Sequence, residues 1–134
     1  MKPKSALVRD YMAAHPITFN PDTDVLDAVH ELIKHRIAGA PVVDQHGEVI
    51  GMLSEFDCMK IALGSGYYGD AGGPVKEFMS TDVESVDADM GIIELAQKFL
   101  QSGYRRFPVI TENRLVGQIS RRDVLRALEA ISSR

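Results

Sequence analysis

The sequence lacks several features that mark secreted, membrane-bound and nucleic-acid-binding proteins. It has one cysteine in 134 residues, which excludes an internal disulfide and is typical of a reducing compartment. No apolar run of signal-peptide length follows the first four residues, and no stretch approaches the length of a membrane span. The formal net charge is −4, whereas a nucleic-acid binder normally has a basic surface. We therefore expect a cytoplasmic protein with no membrane or nucleic-acid partner.

The residue patterns that carry catalysis or hold a metal are missing as well. His30 and His35 resemble the histidine pair of a zinc-protease helix, but their spacing sets them about 140° apart around the helix axis, so they cannot share a metal. Gly64–Gly69 matches G-x-G-x-x-G, but it follows a predicted helix rather than a strand. Cys58 has no neighbouring histidine pattern that would mark a nucleophile. We expect no catalytic residue, no metal site and no enzyme activity.

What the sequence does contain is an internal repeat. Its matching segments are Val8–Met12 with Val75–Met79, Ala40–Val43 with Phe107–Ile110, and Gly51–Asp57 with Gly117–Asp123. The offset is 67 residues for the first two pairs and 66 for the third. Self-similarity at a fixed spacing indicates two copies of one supersecondary unit. We place the copies at residues 5–63 and 74–131, joined by a glycine-rich linker at residues 64–73, and expect the two small copies to share a core.

Each copy is predicted to run strand, helix, strand, strand, helix. In the first copy, Ile17–Phe19 is a short extended segment, and an apolar stripe of helical spacing follows from Val25 to Ile33. Two apolar runs around the glycine-containing turn at residues 45–48 predict a hairpin. A last helix is expected from Glu55 to Leu63, and in the second copy from Arg121 to about residue 131.

This pattern resembles a tandem pair of CBS domains, named after cystathionine beta-synthase and often called a Bateman module. The shared features are the leading Val-x-x-Tyr/Phe-Met, the Pro-Val that opens the second strand, and Gly-x-hydrophobic-Ser-x-x-Asp at the last strand-to-helix junction. The resemblance covers about residues 5–131. It implies an α/β fold in which two β-α-β-β-α repeats pack through their sheets into one pseudo-twofold module. It also implies a homodimer, and clefts between the repeats that bind adenosine-containing ligands.

The Ser-x-x-Asp element at the last junction has two interpretations. Ser54 and Ser120 stand where a strand becomes a helix, so each is a natural N-cap that Asp57 or Asp123 can complete as a capping box. Helix structure alone would then explain the motif. Alternatively, the free N–H groups of the helix and the serine hydroxyl bind phosphate, while the aspartate accepts hydrogen bonds from ribose hydroxyls. The resemblance to CBS pairs assigns the serine to phosphate and the aspartate to ribose.

The two copies differ in the charge around this element. Arginines flank the second site, and arginine is well suited to bidentate phosphate contacts. The first copy instead has Glu55 and Phe56 inside the motif, and a carboxylate there repels phosphate. The alternative role of these arginines is to cover the surface or to pair with acids of the first copy. The candidate nucleotide-binding residues are Ser120, Arg121, Arg122, Asp123, Arg105, Arg106, Phe107 and Pro108 in the favoured site, with Ser54 and Asp57 in the weaker one.

The sequence therefore favours a regulatory module that senses an adenine nucleotide in the cleft between the repeats. AMP or ATP is the expected ligand, with S-adenosylmethionine as a competitor and Pro108 beside the base. The alternative function is a dimerisation or interaction module that binds no ligand and regulates a partner protein. We expect the output of the sensor to pass through another protein or through the assembly state of the chain itself.

Overall fold

The computed structural model describes residues 6–64 and 72–132, which divide into two compact units. The Ser54 unit comprises residues Ile17–Val83. The Ser120 unit combines the residues up to Pro16 with those from Glu84 onward. Most of the predicted linker at 64–73 lies outside the described residues, as do Tyr67, Tyr68 and most of the G-x-G-x-x-G segment.

Both units mix helices and strands in the predicted order, which confirms the α/β fold class and its two repeats. Two 3-10 helices, at Val8–Asp10 and Val75–Glu77, lie at equivalent places in the repeats. In chain order, the strands and α-helices are β1 (Ala13–Ala14), α1 (Val25–His35), β2 (Gly39–Val43), β3 (Val49–Ser54), α2 (Glu55–Cys58), α3 (Lys60–Gly64), β4 (Val86–Asp87), α4 (Ile92–Ser102), β5 (Arg106–Thr111), β6 (Arg114–Ser120) and α5 (Arg121–Ser132).

The long helices α1 and α4 form where the apolar stripe predicts them. Helix α1 begins after Asp24, whose carboxylate accepts a hydrogen bond of 2.8 Å from the N–H of Leu26. Both helices end on a residue in the left-handed conformation, Arg36 with φ 55° and Gly103 with φ 76°. Glycine adopts this conformation without steric cost, whereas a residue with a side chain rarely does. Each helix buries one face and leaves the other exposed.

Two elements of the first repeat are shorter than predicted. The segment Ile17–Phe19 makes only one parallel bridge, between Phe19 and Val42. Prolines at positions 16 and 21 flank it and supply no N–H groups for a longer ladder. The last helix is divided into α2 and α3 at Met59, whose N–H donates to the carbonyls of both Glu55 and Phe56. Such shared bonding tightens the turn toward 3-10 geometry.

The two units have corresponding sheets. The Ser120 unit has a four-stranded sheet in the order β1-β6-β5-β4, in which β4 runs parallel to β5 and the other pairs are antiparallel. The Ser54 unit has the antiparallel pair β2-β3, extended by the bridges Phe19 to Val42 and Met52 to Ser80. These single bridges occupy the positions that β4 and β1 take in the other sheet.

The segment that leads each repeat belongs to the compact unit of the other repeat. Met12 precedes β1 and packs on Gly117 of β6, while Met79 packs on Gly51 of β3. A Cβ at Gly117 would lie 2.8 Å from the carbonyl oxygen of Ala13 and would overlap the Met12 side chain, so only glycine fits there. This contact explains why the aromatic-Met pair and the motif glycine occur together in both repeats.

Buried apolar side chains form two clusters, one in each unit. In the Ser120 unit the cluster includes Val8 and Phe107, and in the Ser54 unit it includes Leu53 and Val75. The expectation of one shared core is therefore wrong. Each leading segment adds a fully buried valine to the unit that it joins, which enlarges a core that a repeat alone would have kept small.

Candidate nucleotide site

Both Ser-x-x-Asp elements form reciprocal capping boxes. At the second site, the Oδ2 atom of Asp123 accepts hydrogen bonds from the Ser120 N–H at 2.9 Å and the Ser120 hydroxyl at 3.1 Å, and Ser120 Oγ accepts from the Asp123 N–H at 3.3 Å. At the first site, the corresponding distances between Ser54 and Asp57 are 3.1, 3.0 and 3.0 Å. Helix capping therefore accounts for the motif in both repeats. The sites differ in what surrounds the second carboxylate oxygen.

The Asp57 carboxylate is enclosed by donors of its own unit. Its Oδ1 atom accepts hydrogen bonds from the Ser80 hydroxyl at 3.1 Å and from Lys60 Nζ at 3.3 Å, in addition to the Ser54 donors at Oδ2. Only 6% of the Asp57 side chain is exposed. A carboxylate that is buried and already accepts from three residues is poorly placed to receive ribose hydroxyls.

The Asp123 carboxylate is more accessible and has fewer partners. Its side chain is 18% exposed, and Oδ1 accepts from Arg126 Nη2 at 3.1 Å. Arg126 is the repeat equivalent of Lys60, and the two side chains are similarly exposed, at 59% and 55%. Arg126 also donates to the carbonyl of Tyr11. The equivalent of Ser80 is Ala13, which has no hydroxyl to donate. One oxygen of Asp123 thus faces a single exposed partner.

The residue beside the serine also differs between the sites. In the β5-β6 register, Arg106 lies opposite Ser120, and in the β2-β3 register Gly39 lies opposite Ser54. A Cβ at Gly39 would lie 3.0 Å from the carbonyl oxygen of Leu53, so this position has little room for a side chain. An arginine is therefore paired with one serine in the strand register, and a glycine is paired with the other.

The remaining arginines of the favoured site have different surroundings. The Arg121 guanidinium donates to the carbonyl oxygens of Tyr104 at 2.9 Å and Gly103 at 3.1 Å, which holds the chain at the C-terminal end of α4. The Arg121 N–H donates to the carbonyl of Arg105 at 3.1 Å. Arg105 and Arg122 are exposed to solvent. In the structure, Arg106 thus lies opposite the serine in the strand register, whereas the Arg121 guanidinium is hydrogen-bonded to the C-terminal end of α4.

Phe107 and Pro108 are both buried on β5. The Phe107 side chain is 1% exposed, and its ring centroid lies 4.8 Å from that of Phe99 and 5.3 Å from that of Tyr104. It is a core residue, so any role that it has at the site is through the position of β5. Pro108 lies opposite Gln118 in the register with β6.

Gln118 is a polar residue that the sequence pattern did not single out. Its Nε2 atom is buried and has no hydrogen-bond partner among the described residues. It precedes Ser120 by two residues on β6, so the two side chains lie on the same face of the strand. The equivalent residue in the first repeat is Met52, and comparison of the repeats therefore gives no sign of a shared polar position.

Two ionisable groups of the Ser54 unit have perturbed pKa values. Burial raises the pKa of the Cys58 thiol, and the neighbouring Asp57 carboxylate adds to that rise. The Glu48 N–H and then the His46 N–H lower the pKa of Asp44 in the β2-β3 turn, where both donate to its Oδ1 atom. Across residues 6–64 and 72–132, no group of three or more His, Cys, Asp or Glu side chains could hold a metal ion. Within the same residues, no helix has the length and apolar character needed to cross a membrane.

Comparison with known proteins settles the family. The family model of the CBS domain matches residues 8–64 and 75–130. The chain belongs to the CBS domain family. The CBS domain-containing protein YhcV of Bacillus subtilis is 33% identical over 118 residues, which are 87% of this chain and 81% of YhcV. The predicted membership is thus confirmed.

Solved structures of CBS pairs resemble this chain over nearly its whole length. CBSX2 in complex with AMP is 26% identical, with a TM-score of 0.82, and the alignment covers 95% of this chain and 98% of that one. The CBS domain pair of protein MJ0100, in complex with 5-methylthioadenosine and S-adenosyl-L-methionine, is 28% identical with a TM-score of 0.74, covering 92% and 96%. All three bound molecules contain adenosine.

Several curated relatives are longer than the matched region. This CBS pair spans 64% of an uncharacterised 17.7 kDa protein of Acidianus ambivalens, to which it is 31% identical over 81% of its own length. It spans 14% of the A-adding tRNA nucleotidyltransferase of Aquifex aeolicus, at 29% identity over 91% of its own length. CBS pairs therefore occur both in small proteins and as parts of larger enzymes.

Proposed function

We propose that this CBS pair is a regulatory module that binds an adenine nucleotide, AMP or ATP, at the Ser120–Asp123 site. The complexes of its solved relatives with AMP, 5-methylthioadenosine and S-adenosyl-L-methionine support an adenosine ligand. The proposal contains no catalytic step. Binding would regulate a partner protein or the assembly of the chain itself.

The observation that carries the proposal is the accessible carboxylate of Asp123. One of its oxygens completes the capping box, and within the described residues the other accepts only from the exposed Arg126. Ribose hydroxyls can displace an exposed arginine at small cost, because a surface ion pair contributes little to stability. A charged acceptor for ribose hydroxyls is also what dinucleotide-binding folds use.

Arg106 and Arg122 supply the charge expected for a phosphate site. Arg106 lies opposite Ser120 in the strand register, and Arg122 is exposed in the first turn of α5. Guanidinium groups bind phosphate through charge-assisted hydrogen bonds, and the N-terminus of a helix favours an anion. These groups favour AMP or ATP over S-adenosylmethionine, because a sulfonium carries positive charge.

Gln118 is our proposed contact for the base. Its buried amide nitrogen lacks a partner in the described residues, and it lies opposite Pro108, where the base is expected. An unpaired buried donor destabilises the protein, so a purine nitrogen that accepts this hydrogen bond would relieve the cost. An adenine base offers such ring nitrogens, which links this residue to base recognition.

The test is ligand-dependent stability, measured together with mass spectrometry of small molecules released from the purified protein. At about 100 times Kd a ligand adds roughly 2.7 kcal/mol, which corresponds to a rise of about 5–10 °C in the melting temperature. AMP, ADP, ATP and S-adenosylmethionine are compared at millimolar concentration, with GMP as the control for base recognition. A shift below one degree with every adenosine compound would reject the sensor function in favour of an interaction module without a ligand.

A further inference from the structure

Each motif aspartate is linked by hydrogen bonds to the leading segment that packs on its unit, but the two links differ. In the Ser54 unit the link is direct, because Ser80, which follows the second leading segment, donates from its hydroxyl to Asp57 Oδ1 at 3.1 Å. In the Ser120 unit the link runs through Arg126, whose Nη2 atom donates at 3.1 Å both to Asp123 Oδ1 and to the carbonyl oxygen of Tyr11. The same two parts of the fold are therefore joined in both units.

The link through Arg126 is the one that a ligand can displace. The Ser80 hydroxyl lies 3.1 and 3.4 Å from the two oxygens of Asp57, and the Ser80 backbone makes two hydrogen bonds of 2.9 Å with Met52 of β3. A short side chain on a backbone fixed in this way has little freedom to withdraw. Arg126 is 59% exposed and can rotate into water at small cost, because a surface ion pair contributes little to stability. Ribose hydroxyls that bind Asp123 therefore break the link.

The end of the first leading segment is attached to its unit less firmly than the beginning. The Val8 N–H donates to the carbonyl of Met90 at 2.9 Å, and the Val8 side chain is fully buried. After Tyr11 the chain pairs with β6 through the two residues of β1, Ala13 and Ala14, both of which are exposed. A short, exposed pairing opens with a low free energy, so its opening is sensitive to the loss of a neighbouring hydrogen bond.

We propose that occupancy of the Ser120 site is transmitted through Arg126 to the leading segment, where it weakens the pairing of β1 with β6. The inference rests on the proposed function, because it requires ribose hydroxyls at Asp123. When they bind, Arg126 loses its carboxylate partner, and its remaining hydrogen bond to the Tyr11 carbonyl is a solvent-exposed contact of small net value. The occupied and unoccupied states then differ at an exposed strand, which a partner protein can recognise.

Hydrogen exchange of the ligand-free chain, followed by mass spectrometry, tests the link itself. Arg126→Met removes both hydrogen bonds, so the amides of residues 10–16 should exchange about threefold faster, within the range that an exposed ion pair contributes. Lys60→Met is the matched control, because Lys60 is similarly exposed at 55% and Ser80 still links Asp57 to the second leading segment. It should leave the exchange of residues 77–83 unchanged. No acceleration in an Arg126→Met chain that is folded by circular dichroism would overturn the proposal.

A rescue experiment separates the link from any other role of Arg126 in α5. Ala13 is the repeat equivalent of Ser80 and occupies the same place in the strand pairing. In the Arg126→Met chain, Ala13→Ser should supply a hydroxyl that donates to Asp123 and should return the exchange of residues 10–16 to its original rate. Ala14→Ser is the control, because neighbouring side chains on a strand point to opposite faces. Acceleration that Ala13→Ser does not reverse would assign Arg126 a role in the helix and contradict the link.

Adenosine, which carries no phosphate charge, tests the response to occupancy. At saturation in the unsubstituted chain, residues 10–16 should exchange about threefold faster while α5 exchanges more slowly. In the Arg126→Met chain, adenosine should no longer alter the exchange of residues 10–16. Because coupling is reciprocal, adenosine should also bind that chain about threefold more tightly by calorimetry.

The outcomes distinguish failure of this inference from failure of the proposed function. Adenosine that protects α5 but slows or does not change the exchange of residues 10–16 would overturn the inference and leave the nucleotide site in place. If neither adenosine nor AMP changes the melting temperature or the exchange of any peptide, the proposed function is wrong and the regulatory inference fails with it. The ligand-free comparison of Arg126→Met with Lys60→Met gives its own result in either case.

Discussion

At the Ser54 site, the carboxylate of Asp57 accepts hydrogen bonds from Ser80 and Lys60 as well as from its capping serine. At the Ser120 site, Arg126 is the only partner of Asp123 beyond the capping box in the part of the chain that the structure describes. The motif and its capping geometry are the same in both. The difference arises outside the motif. The Ser80 hydroxyl donates to Asp57, whereas Ala13, the repeat equivalent of Ser80, has no hydroxyl that could donate to Asp123. The same motif can thus have a purely structural role in one repeat and remain accessible to a ligand in the other.

The largest expected difference between the two sites is in the ligand affinity that remains after each aspartate is replaced by alanine. Asp123→Ala deletes the acceptor for ribose hydroxyls, and each hydrogen bond to a charged group contributes roughly 1.5 kcal/mol or more, so affinity for AMP or ATP should fall by about two orders of magnitude. Asp57→Ala should have little effect on the tighter site. Calorimetric titration measures both, after circular dichroism has shown that the variants are folded. Equal losses from the two substitutions would contradict the asymmetry.

For the free energy of unfolding, we expect the opposite order: Asp57→Ala should destabilise the protein more than Asp123→Ala. Asp57→Ala takes the shared acceptor from the donors of Ser54 and Ser80 and removes a carboxylate whose side chain is only 6% exposed, so it should lower the free energy of unfolding by about 2 kcal/mol. Asp123→Ala should cost about 1 kcal/mol, the usual loss for a helix cap, since its surroundings are more open to water. Urea titration followed by circular dichroism gives both values. Ser80→Ala serves as the control, because it removes one donor and should cost less than Asp57→Ala; a larger loss at Asp123 would reverse our interpretation.

Replacing Arg106 should have a smaller effect on ligand affinity, and it tests the proposed phosphate position of the Ser120 site. Arg106→Ala should weaken AMP binding by about tenfold, the equivalent of one charge-assisted hydrogen bond, and leave adenosine binding within about twofold. Arg114→Ala is the matched control, because Arg114 is an exposed arginine on the neighbouring strand β6. The two ligands are compared by calorimetry for each variant. Equal losses for AMP and adenosine would assign Arg106 a structural role instead.

The repeat, the α/β class and the long helices could be predicted from the sequence because they depend on local residue patterns. The stripe from Val25 to Ile33 recurs 67 residues later, and both copies form amphipathic helices. The contact of Met12 with Gly117 could not be predicted in this way, because a local pattern does not specify which distant strand a segment will join. The exchange of the leading segments and the two separate cores follow from contacts of this kind.

The candidate site was only partly accessible to the same reasoning, for a different physical reason. Comparing the repeats draws attention to what they share, whereas the sites are distinguished by positions that they do not share, such as Ser80 and Gln118. The sequence also cannot tell where a long side chain is directed. Arg121 adjoins the capping serine in the chain, but its guanidinium donates to the carbonyls of Gly103 and Tyr104.

The exchange of leading segments sets an order for folding during synthesis. The Ser54 unit is continuous from Ile17 to Val83, so all its contacts become possible once that stretch has left the ribosome. Strand β1 pairs only with β6, which is made near the end of the chain, and the two are joined across the whole Ser54 unit. If the Ser54 unit folds first, it draws the ends of this connection together and reduces the entropy lost when β1 and β6 meet. We therefore expect the Ser54 unit to fold first and the unit that holds Asp123 to be completed last.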